Sequence, residues 1–325
     1  MDAMALLYRS HFAFGPDARL HTSTGEDTSV LFGFLNTLLN ILELQPHPTH
    51  FAVIFDAPGK NFRHELFPGY KGQRPPTPEP ISEAVPRLKA LLQMAGVPQI
   101  SAAGVEADDV IGTIAMRGID EGFVVAIASP DKDFFQLLKK GLILLRPPSK
   151  ADKTVSRYAL LPYTEESFRN DWELDPEQFV DVLALAGDSS DNVPGVAGIG
   201  PKRAVTLLHE YGSLENILEN CSKSSDEKQH VGGRVSMPKK VSATLASREG
   251  QEVARLSKLL VQINTKLDLP PVLAPLEEFR LKSPADAGLA ALEELTALEF
   301  KMHGPRLKAL WAAMGEGGSG VVGRE

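Results

Sequence analysis

The sequence predicts an α/β domain on a mostly parallel sheet, flanked by helices and followed by an all-helical module. Three features predict it. Short apolar runs (Phe51–Phe55, Phe123–Ala128 and Leu142–Leu145) alternate with segments of helical spacing, as strands buried on both faces and joined by crossover helices do. The first two runs stop abruptly at acidic loops, Asp56 and Asp131/Asp133. Beyond about residue 175 such runs cease, and apolar positions fall at helical spacing between glycine turns.

Each element has a local reason. Asp27 and Thr28 can cap a helix that carries Val30, Leu31, Phe34, Leu38, Ile41 and Leu42. A basic, Pro/Gly-rich stretch spans 57–80; a helix follows from Ile81 to Met94, and another from near Glu106 to about Arg117. Pro176–Gly187, Pro201–Tyr211 and Ser213–Leu218 read as helices, and Ser222–Lys239 as an inserted flexible loop. Helical spacing returns at Val241–Leu260 and from Ala285 to about Ala313, ahead of a disordered tail from Gly315.

Composition sets the bounds. The 325 residues suit about two units, and 43% hydrophobic with 23% charged residues is enough to bury a core. A net charge of −8 argues, taken alone, against a general nucleic-acid or anionic-membrane binder. One cysteine, Cys221, excludes a disulfide framework and a cysteine-rich zinc site. Asn36 and Asn40 interrupt the longest apolar stretch, so no membrane span is expected, and the N-terminus lacks a secretory pattern.

The chemistry sits in the acids. Open parallel sheets bind ligands at the carboxyl ends of their strands. There the sequence places Asp56, then Glu106, Asp108 and Asp109, then Asp131 and Asp133. Asp188 and Asp191 can face one point at the end of a helix, and Asp2 precedes the first helical stretch. Singly, each has a plainer reading as a helix cap, a dipole partner or a turn residue. Together at one sheet edge, so many carboxylates require a cation, and an all-oxygen set suits Mg²⁺ or Mn²⁺. A group of this size can hold two ions, the arrangement used in phosphoryl transfer.

Lys60, Arg63, Lys71 and Arg74 interleave with Phe62, Phe67 and Tyr70, residue types that grip phosphates and stack on bases, although a basic solvated loop looks the same. Gly195–Ala204 joins two helices through a glycine turn. Pro201 suits the first position of the second helix, whose start, with Lys202 and Arg203, can cradle a phosphate. It is neither a Walker loop nor a dinucleotide fingerprint.

These residues, with Phe62-Arg-His-Glu65, Tyr70-Lys71, Val105–Gly112, Asp131-Lys-Asp133 and Gly187–Gly195, resemble the 5′ nuclease domain of bacterial DNA polymerase I, within the flap endonuclease family. Ser129–Gln136 is similar to the stand-alone plant and algal forms, which act in organelles. The resemblance implies a PIN-like catalytic domain over 1–175 with a basic arch at about 57–95. It also implies a helix–hairpin–helix module over 176–275 with an insert at about 222–239, and a C-terminal helix and tail over 276–325.

It implies metal ligation by Asp2, Asp56, Glu106, Asp108, Asp109, Asp131, Asp133, Asp188 and Asp191, with Asp109, Asp131, Arg63 and Lys71 catalytic. DNA contacts fall to Arg63, Tyr70, Lys71, Arg74, Gly198, Gly200, Lys202 and Arg203, with a potassium ion at the hairpin turn. The implied enzyme is an intracellular monomer that hydrolyses DNA at 5′ flaps, nicks and 5′ ends to 5′-phosphate and 3′-hydroxyl products. An organellar DNA polymerase is its implied partner. One departure stands out. The family's first acid ends a central strand, whereas here it is Asp2, so a gap in the sheet, a poorly ordered Asp2 and a catalytically impaired DNA-binding or scaffold protein form the alternative. A phosphatase built on Asp131 is disfavoured because Phe134 and Phe135 stand where that chemistry needs threonine. The −8 no longer excludes DNA: with nine acids assigned to cations, the rest of the chain carries +1.

Overall fold

The computed structural model describes residues 1–148, 154–226, 238–284 and 286–316. The chain opens on α1 (Ala3–Ala13) and α2 (Ser29–Leu42), then β1 (Val53–Ile54), α3 (Phe62–Leu66) and α4 (Glu79–Met94). Next come β2 (Gln99–Ile100), α5 (Ala107–Asp120), β3 (Val125–Ala128), β4 (Leu142–Arg146), β5 (Leu161–Tyr163) and α6 (Glu165–Trp172). Helices follow: α7 (Phe179–Ala186), α8 (Pro201–Tyr211), α9 (Leu214–Asp226), α10 (Lys239–Ala246) and α11 (Arg248–Val261), then α12 (Pro270–Leu273), α13 (Ala287–Ala297) and α14 (His303–Glu316).

β1 pairs parallel with β2, and β3 pairs parallel with β4; β5 lies antiparallel on the far side of β4. Successive strand residues face opposite sides of a sheet. Val53, Phe55, Ala128 and Leu145 therefore enter one core, and Ile54, Ile127 and Leu144 the other. The first core holds α1, α2 and α4 and is closed by α13 and α14; the second holds α5 and the helices from α7 to α11. The C-terminal region is thus a pair of helices sealing the first domain rather than a lone helix and tail.

Between β1 and β3 the sheet is split, where the resemblance places a central first strand. Met1 and Asp2 bridge the seam: Ile54 N donates to Met1 O at 2.9 Å, and Asp2 N donates to Ala128 O at 3.0 Å. The expected gap is therefore present, but the expected loss of order at Asp2 is not, because its backbone is pinned and its side chain is 4% exposed.

Other differences are local. Val124, expected in a buried strand, is 83% exposed, and the strand starts one residue later. The 57–80 stretch contains α3, nucleated by a capping box in which Asn61 accepts from Arg63 N and its own N–H meets His64 Nδ1. Ser222–Asp226 continue α9 instead of opening a loop, and 227–237 lie outside the described residues. The Val241–Leu260 pattern breaks at Ser247, because the chain turns so tightly that a Cβ at Gly250 would meet Thr244 O at 1.9 Å. Gly315 and Glu316 still belong to α14, and the remaining tail is outside the described residues. No helix among the described residues is long and apolar enough to cross a membrane.

Candidate active site

The site grows from helix starts and strand ends. Asp2 is the N-cap of α1: its Oδ1 accepts from Ala5 N at 3.1 Å, and its Oδ2 from Ser129 Oγ at 2.7 Å. Asp56 leaves β1 and accepts from Ala107 N at 3.0 Å, at the start of α5. Glu106 caps α5 and places Asp108 and Asp109 in its first turn. Asp131 caps the 3₁₀ turn Lys132–Leu137, and its Oδ1 accepts from Asp133 N at 2.9 Å. Ser129 ties two of these acids together, since its hydroxyl also accepts from Asp131 N at 3.1 Å.

Asp188 and Asp191 enter on the loop after α7. That loop folds back through reciprocal Asp188–Val193 backbone bonds of 3.1 and 2.8 Å. It requires two glycines: a Cβ on Gly195 would lie 2.4 Å from Gly187 N, and both residues have positive φ. Lys71 holds a left-handed backbone (φ 53°) that no glycine eases, with its N–H donating to Asp191 O at 2.9 Å. Strain of this kind concentrates at functional sites.

The acids divide by what neutralises them. Glu106 accepts from Lys71 Nζ at 2.7 Å, Asn61 Nδ2 at 2.8 Å and Tyr70 OH at 3.1 Å. Burial would raise its pKa, but Lys71 and Arg63 outweigh that and hold it below the usual carboxylate range. Asp191 pairs with Arg74, lies 3.6 Å from Lys71 Nζ, and accepts from Tyr70 OH at 3.2 Å. Asp188 pairs with Lys132 at 3.0 Å, and Ser190 and Lys132 overcome its burial and depress its pKa. Asp2, Asp108, Asp131 and Asp133 have no ion pair among the described residues. Burial pushes Asp2 up to about 6, aided by Asp56 and Asp131. Burial also raises Asp108, with repulsion from Asp2 and Asp131, and Asp133, with repulsion from Asp131. Asp131 is raised by burial and then by Asp191.

Three assignments change. Arg63 is buried and donates to Asp109 through two bonds of 2.7 and 2.8 Å, then to Leu260 O and Gln262 O, each at 2.8 Å. A guanidinium so enclosed is not presented to DNA. Asp109 is fully buried, with both oxygens taken by Arg63 and Oδ1 also accepting from Asn264 N at 2.8 Å, so the structure sets it apart from the open acids. Tyr70 is 3% exposed and offers no face on which a base could stack. Lys71 and Arg74 do reach the cleft, through Glu106 and Asp191.

The sequence reading passed over Ser129, Asn61, Lys132 and Gln136. Ser129 and Lys132 carried the available signal, since they flank Asp131 in the acidic loop itself.

The glycine turn lies on the helical module, in the segment between α7 and α8 that also carries Asp188 and Asp191. Gly198 (φ 87°) and Gly200 are exposed, Ile199 is buried, and Gly200 precedes α8 with no side-chain cap. The first N–H groups of α8 therefore stay open beside exposed Lys202 and Arg203, the arrangement of an anion cradle. Arg203 donates to Gly198 O.

The donor set fits a hard divalent cation. Every candidate ligand is a carboxylate oxygen, and Asp133 Oδ1 is buried without a partner. As they stand, no three such groups among the described residues are gathered tightly enough to chelate an ion.

Comparison with known proteins places this geometry. Residues 1–172 match the family of the 5′-3′ exonuclease N-terminal resolvase-like domain, and residues 174–287 its C-terminal SAM fold. A 5′-3′ exonuclease from Aquifex aeolicus is 34% identical over 310 residues, covering 95% of this chain and 92% of its own. DNA polymerase I of Bacillus caldotenax is 39% identical over 81% of this chain, which spans 27% of that protein. Among solved structures, T5 5′-exonuclease with bound zinc superposes with a TM-score of 0.59 at 19% identity, covering 96% of this chain and 97% of its own. The catalytic core of Rad2 in complex with DNA substrate gives 0.55 at 17% identity over 95% and 91%. With both domain models matched in order and a relative aligned over nearly its whole length, the chain belongs to the 5′-3′ exonuclease family.

Proposed function

We propose that this protein is a divalent-metal-dependent, structure-selective 5′-3′ nuclease acting on DNA flaps, nicks and 5′ ends, and yielding 5′-phosphate and 3′-hydroxyl products. The observation that carries this reading is the set of buried acids at the strand ends: the Ser129 hydroxyl ties Asp2 to Asp131, and Asp133 Oδ1 is buried without a hydrogen-bond partner among the described residues. Asp2, Asp108, Asp131 and Asp133 make no ion pair among the described residues, and burial raises the proton affinity of each. With Asp56 they are the residues that would hold magnesium or manganese, and Glu106, Asp188 and Asp191 would serve a second ion. An ion bound there supplies Lewis-acid charge to the scissile phosphate and lowers the proton affinity of water.

The chain's own groups do the rest. Ser129 fixes Asp2 and Asp131 relative to each other. Lys71 and Arg74 sit over Glu106 and Asp191, where their charge can pass to the phosphates flanking the scissile bond. The open start of α8, with Lys202 and Arg203, grips duplex backbone without reading sequence. A potassium ion at the hairpin would displace the Arg203 guanidinium from Gly198 O. The monomeric state, an organellar polymerase as partner and a chloroplast or mitochondrial setting belong to the same proposal. The last two rest on the form of Ser129–Gln136 alone.

End-labelled 5′-flap, nicked and single-stranded DNAs test it. Cleavage at the flap junction in Mg²⁺, abolished by EDTA, is expected. Binding of the flap without cleavage in either Mg²⁺ or Mn²⁺ would support the scaffold alternative instead.

A further inference from the structure

After α11 the chain runs as an extended strap, residues 262–267, in which Ile263 and Leu267 are buried, Thr265 is half-buried, and Gln262, Asn264 and Lys266 are exposed. This is strand-like alternation, yet the strap pairs with no strand among the described residues. Side chains take the place of a ladder. Arg63 of α3 holds Leu260 O and Gln262 O. Asp109 and Thr113 of α5 hold Asn264 N at 2.8 Å and Asn264 O at 3.1 Å, and Thr113 Oγ1 also accepts from Leu267 N at 3.3 Å. Buried backbone groups need partners, so these five hydrogen bonds from three side chains fix the strap against the catalytic domain.

The decisive side chain is Gln136. Its Nε2 donates to Val261 O at 3.0 Å and to Asp133 O at 2.8 Å, and its Oε1 accepts from Ile263 N at 2.9 Å. One amide therefore clamps the acid-bearing turn to the strap. The approach leaves no slack: a Cβ on Gly112 of α5 would lie 2.6 Å from Ile263 Cγ2. Just before the strap, α11 is tied to the loop before the hairpin, because Ser257 Oγ accepts from Gly195 N at 3.0 Å.

Resting on the nuclease reading, we propose that Gln136 is a positioning residue for Asp131 and Asp133, and that the strap is the element through which the DNA-gripping module sets their placement. The acid turn also meets the helical module directly, where Lys132 pairs with Asp188 and Phe135 packs on Phe179, but the Gln136 amide is what joins the backbone of Asp133 itself to the strap. Duplex bound at the hairpin thereby stiffens the turn that must hold the cation.

Three measurements test this: single-turnover cleavage of a 5′ flap, equilibrium DNA binding in EDTA, and amide hydrogen exchange of the metal-free protein. Gln136→Met keeps the volume and removes the clamp. It should slow turnover by about ten- to a hundred-fold, the range for loss of a group that orients a metal ligand, with DNA affinity unchanged. Thr113→Val loosens the far end of the strap but leaves the Gln136 clamp in place, and should slow turnover less than Gln136→Met does. Normal turnover in Gln136→Met, or equal slowing in both variants, overturns the proposal. Should Gln136→Met fail to fold, the unmodified protein decides. Duplex lacking a free 5′ end must slow exchange at both Asp133 and Ile263, and protection confined to the hairpin overturns the idea. Exchange is read without cleavage, so an inactive enzyme would count against the nuclease reading and not against this one.

Discussion

Two sets of acids share one cleft. Glu106, Asp109, Asp188 and Asp191 each face a lysine or arginine. Asp2, Asp108, Asp131 and Asp133 make no ion pair among the described residues, and burial, with repulsion from neighbouring carboxylates, raises their proton affinities. The first set is neutral without help. The second stores repulsion that only protons or a cation relieve, and groups held in that state are where chemistry is expected.

The sharpest way to break this contrast is to neutralise one acid of each kind. Asp131→Asn should lower flap cleavage by at least about a hundred-fold, as loss of a preorganised electrostatic group does. The same change should raise the melting temperature in EDTA, because it removes repulsion, and that gain should vanish once divalent metal is added. Unaltered stability in EDTA would show that the acids are not in conflict.

The paired set should behave oppositely. Arg63→Met leaves Asp109 buried without its cationic partner, which costs about 3–5 kcal/mol by the usual scale for broken buried pairs. Urea denaturation should register that loss, while any folded fraction binds DNA as before. Lys71→Met should show the reverse, with cleavage reduced and stability nearly intact.

Acidity sharpens the contrast further. Asp2 titrates near 6 when folded and near 3.8 when unfolded. The folded state therefore binds its proton more tightly, and the associated stability is complete below about pH 4 and lost as pH rises through 6. Melting temperatures of metal-free protein should fall over that window, and less so in Asp2→Asn. The smallest effect belongs to Lys132, half exposed beside Asp188: Lys132→Met should shift stability by less than about 1 kcal/mol.

Much of this could be read before any coordinates existed, because it depends on neighbours in sequence. Apolar runs ending in Asp56 and Asp131 marked the strand ends, and Pro201 after Gly200 marked the start of α8. What stayed hidden depends on distant partners. Arg63 reads as one more cation in a basic loop until Asp109, 46 residues on, and Leu260, 197 residues on, close around it. Tyr70 looks like a stacking ring until Glu106 and Asp191 take its hydroxyl. α3 escaped because a five-residue helix has no periodicity to find, only its cap. The antiparallel β5 escaped for a similar reason, since Leu161-Pro-Tyr163 carries no buried face.

The sealing of the first core by α13 and α14 has a consequence for how the molecule is made. Leu38, Leu42, Leu88 and Leu92, on α2 and α4, share that core with Ala291, Leu295, Leu307 and Leu310. Ribosomal synthesis proceeds from the N-terminus at roughly 5–20 residues per second. The helices made early must therefore wait, apolar face uncovered, until α13 and α14 have been made. A chain that stops before Ala287 carries every acid of the cleft but leaves the apolar faces of α2 and α4 uncovered.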